Sequence, residues 1–172
     1  RAYLCALEMD AFGRRYSKEA QENGFPLGKT RVGVHSGEVI IGNFGGKTVF
    51  DYRALGDPIN TAARLESVNK HLGTNVCISE KTLEGCSKAR VRPVGRLVLK
   101  GKTEPLMVFE PISDSADEHY ETAFNLLRDQ DDKALEAFEK LAEERPDDPL
   151  VSLHLHRMEA GEQGDLIVMS SK

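Results

Sequence analysis

The sequence has no tryptophan and only three cysteines in 172 residues. Cys5, Cys77 and Cys86 form no CxxC pair and stand near no paired histidines, which excludes a structural zinc site of the usual spacing. An odd number of thiols, two of them among apolar neighbours, reads as reduced side chains acting as small hydrophobes in a reducing, cytoplasmic setting. No run of about 18 apolar residues occurs, so no membrane-spanning helix is encoded. The opening RAYLCALEMDAFGRRYSKEA lacks the basic-then-apolar order of a secretory signal. A basic stripe with interleaved aromatics is missing too, which argues against nucleic acid as a partner.

What is present is an ordinary globular mixture, 40% hydrophobic and 30% charged. Its net charge of −5 hides a division along the chain. Residues 1–112 carry 17 Lys and Arg against 12 Asp and Glu, whereas residues 113–149 carry 4 against 13. The basic front suits a polyphosphate ligand. The acidic stretch HYETAFNLLRDQ, DDKALEAFEKLAEE, with DPLVSLHLHRMEAG after it, reads as three helical segments parted by Asp-rich or Pro-containing turns. The spacing of Ala134 and Phe138, with Pro146 soon after, resembles half of a tetratricopeptide repeat, but one unit makes no solenoid. We therefore read 113–172 as a helical extension that packs on its own domain.

In the front part, a helix to about Gln21 ends at the Asn23-Gly24 breaker. RVGVHSGEVIIGNFG gives two strand-like runs, around Val32–Val34 and Val39–Ile41, and TVFDYRAL continues in strand character. GDPINTAARLESVNKHL switches to helical period, with Asp57 expected at the N-cap, Pro58 at the first helical position and Leu65, Val68 and Leu72 on the buried face. A short strand and helical turn follow in TNVCISEKTLEG, then two strands around Lys100–Thr103. Helices flanking strands predict an α+β sandwich. The chain begins without Met, in mid-pattern, as a piece of a longer protein would.

The tripeptide GKT occurs at Gly28, Gly46 and Gly101, but a phosphate-cradling loop needs another glycine five residues earlier. Those positions hold Asn23, Ile41 and Arg96. A helix should also follow, to present its N-terminal N–H groups, and Thr48 leads into a strand-like run instead. The P-loop reading fails, and Gly42, Gly45 and Gly46 are expected in a tight turn between strands. Asn60 and Arg64, by contrast, stand four apart on one helix face with the small Thr61, Ala62 and Ala63 between them. An amide beside a guanidinium suits a phosphoryl group gaining charge. By spacing alone the pair reads first as a solvated helix face. His35 is read as a hydrogen-bonded structural histidine, and Asp57 as a cap.

RVGVHSGEVIIGNFG, FDYRALGDPINTAARLE and RLVLKGKTEPLMVFE, in this order, resemble the catalytic domain of class III nucleotide cyclases, in particular bacterial adenylate cyclases. The resemblance covers about residues 1–112. It implies a ferredoxin-like core, lacking its N-terminal portion, that forms a head-to-tail homodimer with ATP at the interface. It further implies a phosphorus–oxygen lyase that makes cyclic AMP and pyrophosphate, by attack of the ribose 3′-hydroxyl on the α-phosphate with Mg²⁺ or Mn²⁺. By the GD-x-x-N-x-x-x-R pattern, Asn60 orients the ribose and Arg64 neutralises the α-phosphate. A lysine of the LKGK turn grips the terminal phosphates, matched to Lys100 with Lys102 as its near neighbour.

The family's metal-binding aspartates and adenine-reading lysine lie upstream of the first helix here, and Asp10, Asp51 and Asp57 do not match them. The resemblance thus places no metal ligand in this chain and implies little activity for it alone. At the base-recognition position, seven residues before Asn60, stands Arg53, which cannot accept a proton from the adenine amino group. Guanylate cyclase, or a catalytically silent dimerisation domain, are the alternatives. The tail resembles the C-terminal extension of bacterial cyclases with an upstream sensor, which implies a cytoplasmic domain, in the full-length protein anchored at the inner face of a membrane.

Overall fold

The computed structural model describes residues 1–46, 50–112 and 117–169. Helix α1 (Ala2–Glu22) buries Tyr3, Ala6, Gly13 and Ser17 along one stripe and ends at Asn23, whose backbone N–H returns to the last turn. Strand β1 (Val32–Val34) pairs in parallel with β4 (Val76–Ser79), Val32 opposite Val76. Strands β2 (Ile40–Gly45) and β3 (Phe50–Leu55) form a separate antiparallel hairpin. Helix α2 (Asp57–Leu72), the short helix α3 (Glu80–Leu83), β5 (Val91–Val98) and β6 (Leu106–Pro111) complete the front part. Helices α4 (Glu118–Arg128), α5 (Ala134–Glu144) and α6 (Pro149–Glu159) follow, then strand β7 (Leu166–Val168). The main sheet runs β1-β4-β6-β5-β7, parallel at both outer pairings and antiparallel within. This is the expected α+β sandwich. Among the described residues no helix is long and apolar enough to cross a membrane.

Helix α2 lies on the sheet because Leu65, Val68 and Leu72 form its buried stripe, and it can come very close because β1 carries Gly33. A Cβ built on Gly33 would stand 2.2 Å from the carbonyl oxygen of Ala62. Only glycine permits that separation, so one residue in the strand sets the height of the helix above it. The helix closes on Gly73, with φ of 75°.

Three expectations are corrected. Asp57 is not the N-cap of α2: Gly56 occupies that position, Asp57 is the first helical residue, and its side chain turns to Lys102 instead of back to the helix N–H groups. Gly42 and Gly45 are not turn residues, because the β2–β3 ladder runs from Ile40↔Leu55 to Gly45↔Phe50 and leaves the reversal to what lies between them. Lys47, Thr48 and Val49 fall outside the described residues. The segment after α6, finally, is no simple helical end. Leu166–Val168 adds a strand to the main sheet, parallel to β5.

That strand makes the tail continuous with the front part. One apolar cluster contains Leu65, Val68, Leu72, Val94, Leu97 and Val108 together with Tyr120, Phe124, Phe138, Leu150 and Val151. A buried ionic group reinforces the join. Arg92 on β5 donates to Glu110 on β6 at 2.8 Å and to Asp148, the N-cap of α6, at 3.0 Å, and its guanidinium lies 4.9 Å from the Tyr120 ring centre. Tyr120 donates in turn to the carbonyl of Pro93.

Candidate active site

Of the three GKT tripeptides two are described in full, and of the third only Gly46. Gly28–Thr30 precedes β1, Gly46 precedes β3 and Gly101–Thr103 precedes β6, so none delivers an anion to a helix N-terminus. The chemistry gathers where α2 begins and where β5 turns into β6.

Asn60 lies in the first turn of α2 and is exposed, with no side-chain hydrogen bond among the described residues. Arg64, one turn on, is half-buried beneath the β5–β6 turn. A Cβ built on Gly101 would stand 3.5 Å from its Nη2. Its Nη1 is buried with no hydrogen-bond partner among the described residues. An unpaired buried donor on a permanent cation costs more than a typical hydrogen bond returns, so the group is poised for an acceptor. Lys100 is exposed on the same turn and makes no ion pair among the described residues, whereas the Nζ of Lys102 pairs with Asp57. The lysines that the sequence could not separate thus differ in their surroundings: Lys102 ties the turn to α2, and Lys100 is left exposed. The Lys102 hydrogen bond is the main reason the Asp57 carboxyl lies below its ordinary range. Thr61 donates to the Asp57 carbonyl at 3.0 Å, fixing the first turn.

Sequence reasoning missed the Asp57–Lys102 contact, since its partners stand 45 positions apart and neither motif implies the other. It also singled out Arg53. Arg53 is exposed on β3 opposite Gly42 and makes no hydrogen bond to Asn60, Arg64 or Lys100 among the described residues. His35 is structural as read. Its Nδ1 lies 2.8 Å from the Ser79 hydroxyl, within a hydroxyl network that also joins Thr82 and Ser36. Burial first, then the charge of Lys81, lowers its pKa and keeps the ring neutral near pH 7. Among the described residues no three His, Cys, Asp or Glu side chains converge as metal ligands. Asp57, at the start of α2, is engaged by Lys102, so the described residues do not fit a divalent cation.

The α+β sandwich thus sets Arg64 of α2 beside Gly101 of the lysine-bearing turn, with Asn60 one helical turn before it. Residues 2–110 match the family model described as the adenylate and guanylate cyclase catalytic domain, and the chain belongs to that family. It is 33% identical over 112 residues to adenylate cyclase 1 of Rhizobium meliloti, covering 64% of this chain and 17% of that protein. It is 29% identical over 113 residues to an adenylate cyclase of Anabaena cylindrica, covering 63% of this chain and 22% of that one. The chain therefore spans less than a quarter of the length of these curated relatives. The adenylyl cyclase CyaB from P. aeruginosa shares the fold, with a TM-score of 0.53 and 24% identity over 64% of this chain and 57% of that one.

Proposed function

We propose that this chain supplies the transition-state half of an adenylate cyclase site formed between two copies of the protein, where ATP becomes cyclic AMP and pyrophosphate. In the reaction the ribose 3′-oxygen bonds to the α-phosphorus, the bond to the β-phosphate bridging oxygen breaks, and the hydroxyl proton is lost. Asn60 hydrogen-bonds the ribose and holds the attacking oxygen in line. Arg64 donates to the α-phosphate oxygens as the phosphorus takes on its fifth ligand, where a fixed guanidinium stabilises charge without reorganising. Lys100 draws the β- and γ-phosphates toward the turn and so favours departure of pyrophosphate. Arg53 stands where the base is selected. As a donor only, it can meet ring nitrogens or a carbonyl but not an amino group.

The observation that carries this reading is the buried, partnerless Nη1 of Arg64 beside the LKGK turn. The adenylate cyclases among the relatives support ATP as the nucleotide. In the full-length protein with Mn²⁺ and ATP, Arg64→Ala is expected to lower kcat by about 10²–10³ with a much smaller change in KM, since its contact strengthens in the transition state. If turnover survives within a few-fold, Arg64 has another role. A second reading, a silent cyclase-like domain that binds nucleotide or dimerises, is favoured by Arg53 at the base-recognition position of the family pattern. The same assay run with ATP and with GTP decides it: product from neither nucleotide supports the silent domain, and product from GTP alone reassigns the base.

A further inference from the structure

The tail touches both elements that carry the proposed site. On β5, strand β7 pairs in parallel at Arg96↔Leu166, Leu97↔Ile167 and Val98↔Val168. The backbone N–H of Arg96 donates to the Asp165 carbonyl at 2.9 Å, and that of Met169 donates to the Val98 carbonyl at 3.1 Å. The Arg96 guanidinium holds the buried Asp165 carboxylate at 2.6 Å, pinning the start of β7. Two residues after Val98 comes Lys100. Between them Leu99 is 2% exposed, sits in the cluster shared with the tail, and accepts the N–H of Lys102 at 2.9 Å to close the turn. On α2, Leu65 follows Arg64 directly, is fully buried and belongs to the same cluster. At the other end of the helix Pro149, the first residue of α6, packs so closely that a Cβ built on Gly73 would stand 2.4 Å from it. The neighbouring Asp148 caps α6 and grips Arg92 of β5 in one carboxylate.

We propose that residues 117–169 are a positioning brace for the phosphate end of the site: β7 and α6 together fix the gap between Arg64 on α2 and the Lys100–Lys102 turn. The physical basis is a difference in stiffness. Without β7, β5 is an edge strand held by β6 alone, and because β4 pairs with β6 only at Val108 and Phe109, the end that carries the turn, Arg96–Leu97 against Leu106–Met107, is locally two-stranded and twists and splays readily. With β7 in place, β5 is an interior strand whose last bond to the tail lies one residue before buried Leu99. The brace touches no ligand. It acts through Leu99 on the turn and through Leu65 and Gly73 on the helix. Helical extensions packed only against the back of a sheet would leave that turn untouched, so the pairing of β7 is the element that matters.

The inference rests on the cyclase reading, and its test separates the two. In the full-length protein, Met169→Pro deletes the N–H that donates to the Val98 carbonyl, Met169→Leu retains it, and deletion of 165–172 removes β7. Inorganic tripolyphosphate serves as a probe of the phosphate end, by calorimetric binding and by inhibition of turnover. Loss of one charge-assisted phosphate contact corresponds to about tenfold in affinity. We expect tripolyphosphate Kd and nucleotide KM to rise together by about tenfold on deletion and about threefold in Met169→Pro. Met169→Leu should match wild type, and neither lesion should add further in a Lys100→Ala background. A merely structural strand would behave otherwise, because a smaller folded fraction lowers kcat and leaves KM and Kd unchanged. Active enzyme with unchanged KM and Kd in both lesions overturns the brace and leaves the cyclase reading standing. Weakened tripolyphosphate binding in a protein that makes no cyclic nucleotide does the reverse. No tripolyphosphate binding at all by the wild type sinks the brace as well.

Discussion

At the scale of single residues, the structure separates side chains that look alike on paper. Lys100 and Lys102 flank one glycine, yet Lys102 is spent on Asp57 while Lys100 is exposed. Lys100→Ala is therefore expected to raise KM for the nucleotide about tenfold with a lesser effect on kcat, the loss of one charge-assisted phosphate contact. Lys102→Ala should move KM only slightly and leave stability nearly unchanged, since an exposed ion pair contributes little. Steady-state kinetics of the two variants side by side check the assignment, and the opposite ranking would exchange their roles. The i,i+4 relation of Asn60 and Arg64 was legible from sequence because helical geometry is local. The occupant of Lys102 was not, because a salt bridge across 45 positions leaves no periodic trace.

At the scale of elements, the height of α2 above the sheet is set by Gly33. Gly33→Ala would place a methyl 2.3 Å from the Glu66 backbone nitrogen as well as against Ala62, so the helix must rise or tilt. An overpacked contact of this kind costs about 1–3 kcal/mol. The expected outcome is a Tm lowered by several degrees together with a fall in kcat larger than the lost folded fraction explains, because Arg64 moves with the helix. Thermal melts paired with activity per folded molecule test this, and a variant with wild-type kcat would separate the helix position from catalysis. The elements themselves were largely readable: α1, α2, the β5–β6 pair and all three tail helices follow from period, breaker residues and length. Strand β7 was not. Its three residues are too few to show alternation, and its partner lies about 70 positions upstream.

For the whole molecule, His154 reports on the union of tail and sheet. It is fully buried among Phe124 and Phe138, with Arg157 Nη1 3.4 Å from its Nδ1 and Arg92 and Asp165 as the more distant charges. Burial, then the charge of Arg157, pushes its pKa down to about 3. The unfolded chain takes up a proton near the ordinary value of 6.5, and the folded one does so only near 3. Stability attributable to this residue is thus complete above about pH 6.5 and lost as pH falls through that window, with a slope approaching about 1.4 kcal/mol per pH unit. Urea unfolding between pH 7 and 4.5 should show the slope, and His154→Leu should flatten it. An unchanged slope would mean that the ring is not sealed in the join. One transition is expected for tail and front part together, since they share a single core.

The sequence by itself determined the local features: which segments other than β7 are helices and strands, that no GKT has the spacing of a P-loop, that Asn60 and Arg64 share a face, and the family that three ordered motifs bespeak. These depend on steric and hydrogen-bonding rules acting over a few residues. Only the tertiary structure decided what each of those groups meets. Burial of Arg64 under Gly101, capture of Lys102 by Asp57, and the pairing of β7 with β5 all come from closing long loops around a common core. Such contacts are selected by packing and by the satisfaction of buried polar groups, which no window of sequence contains.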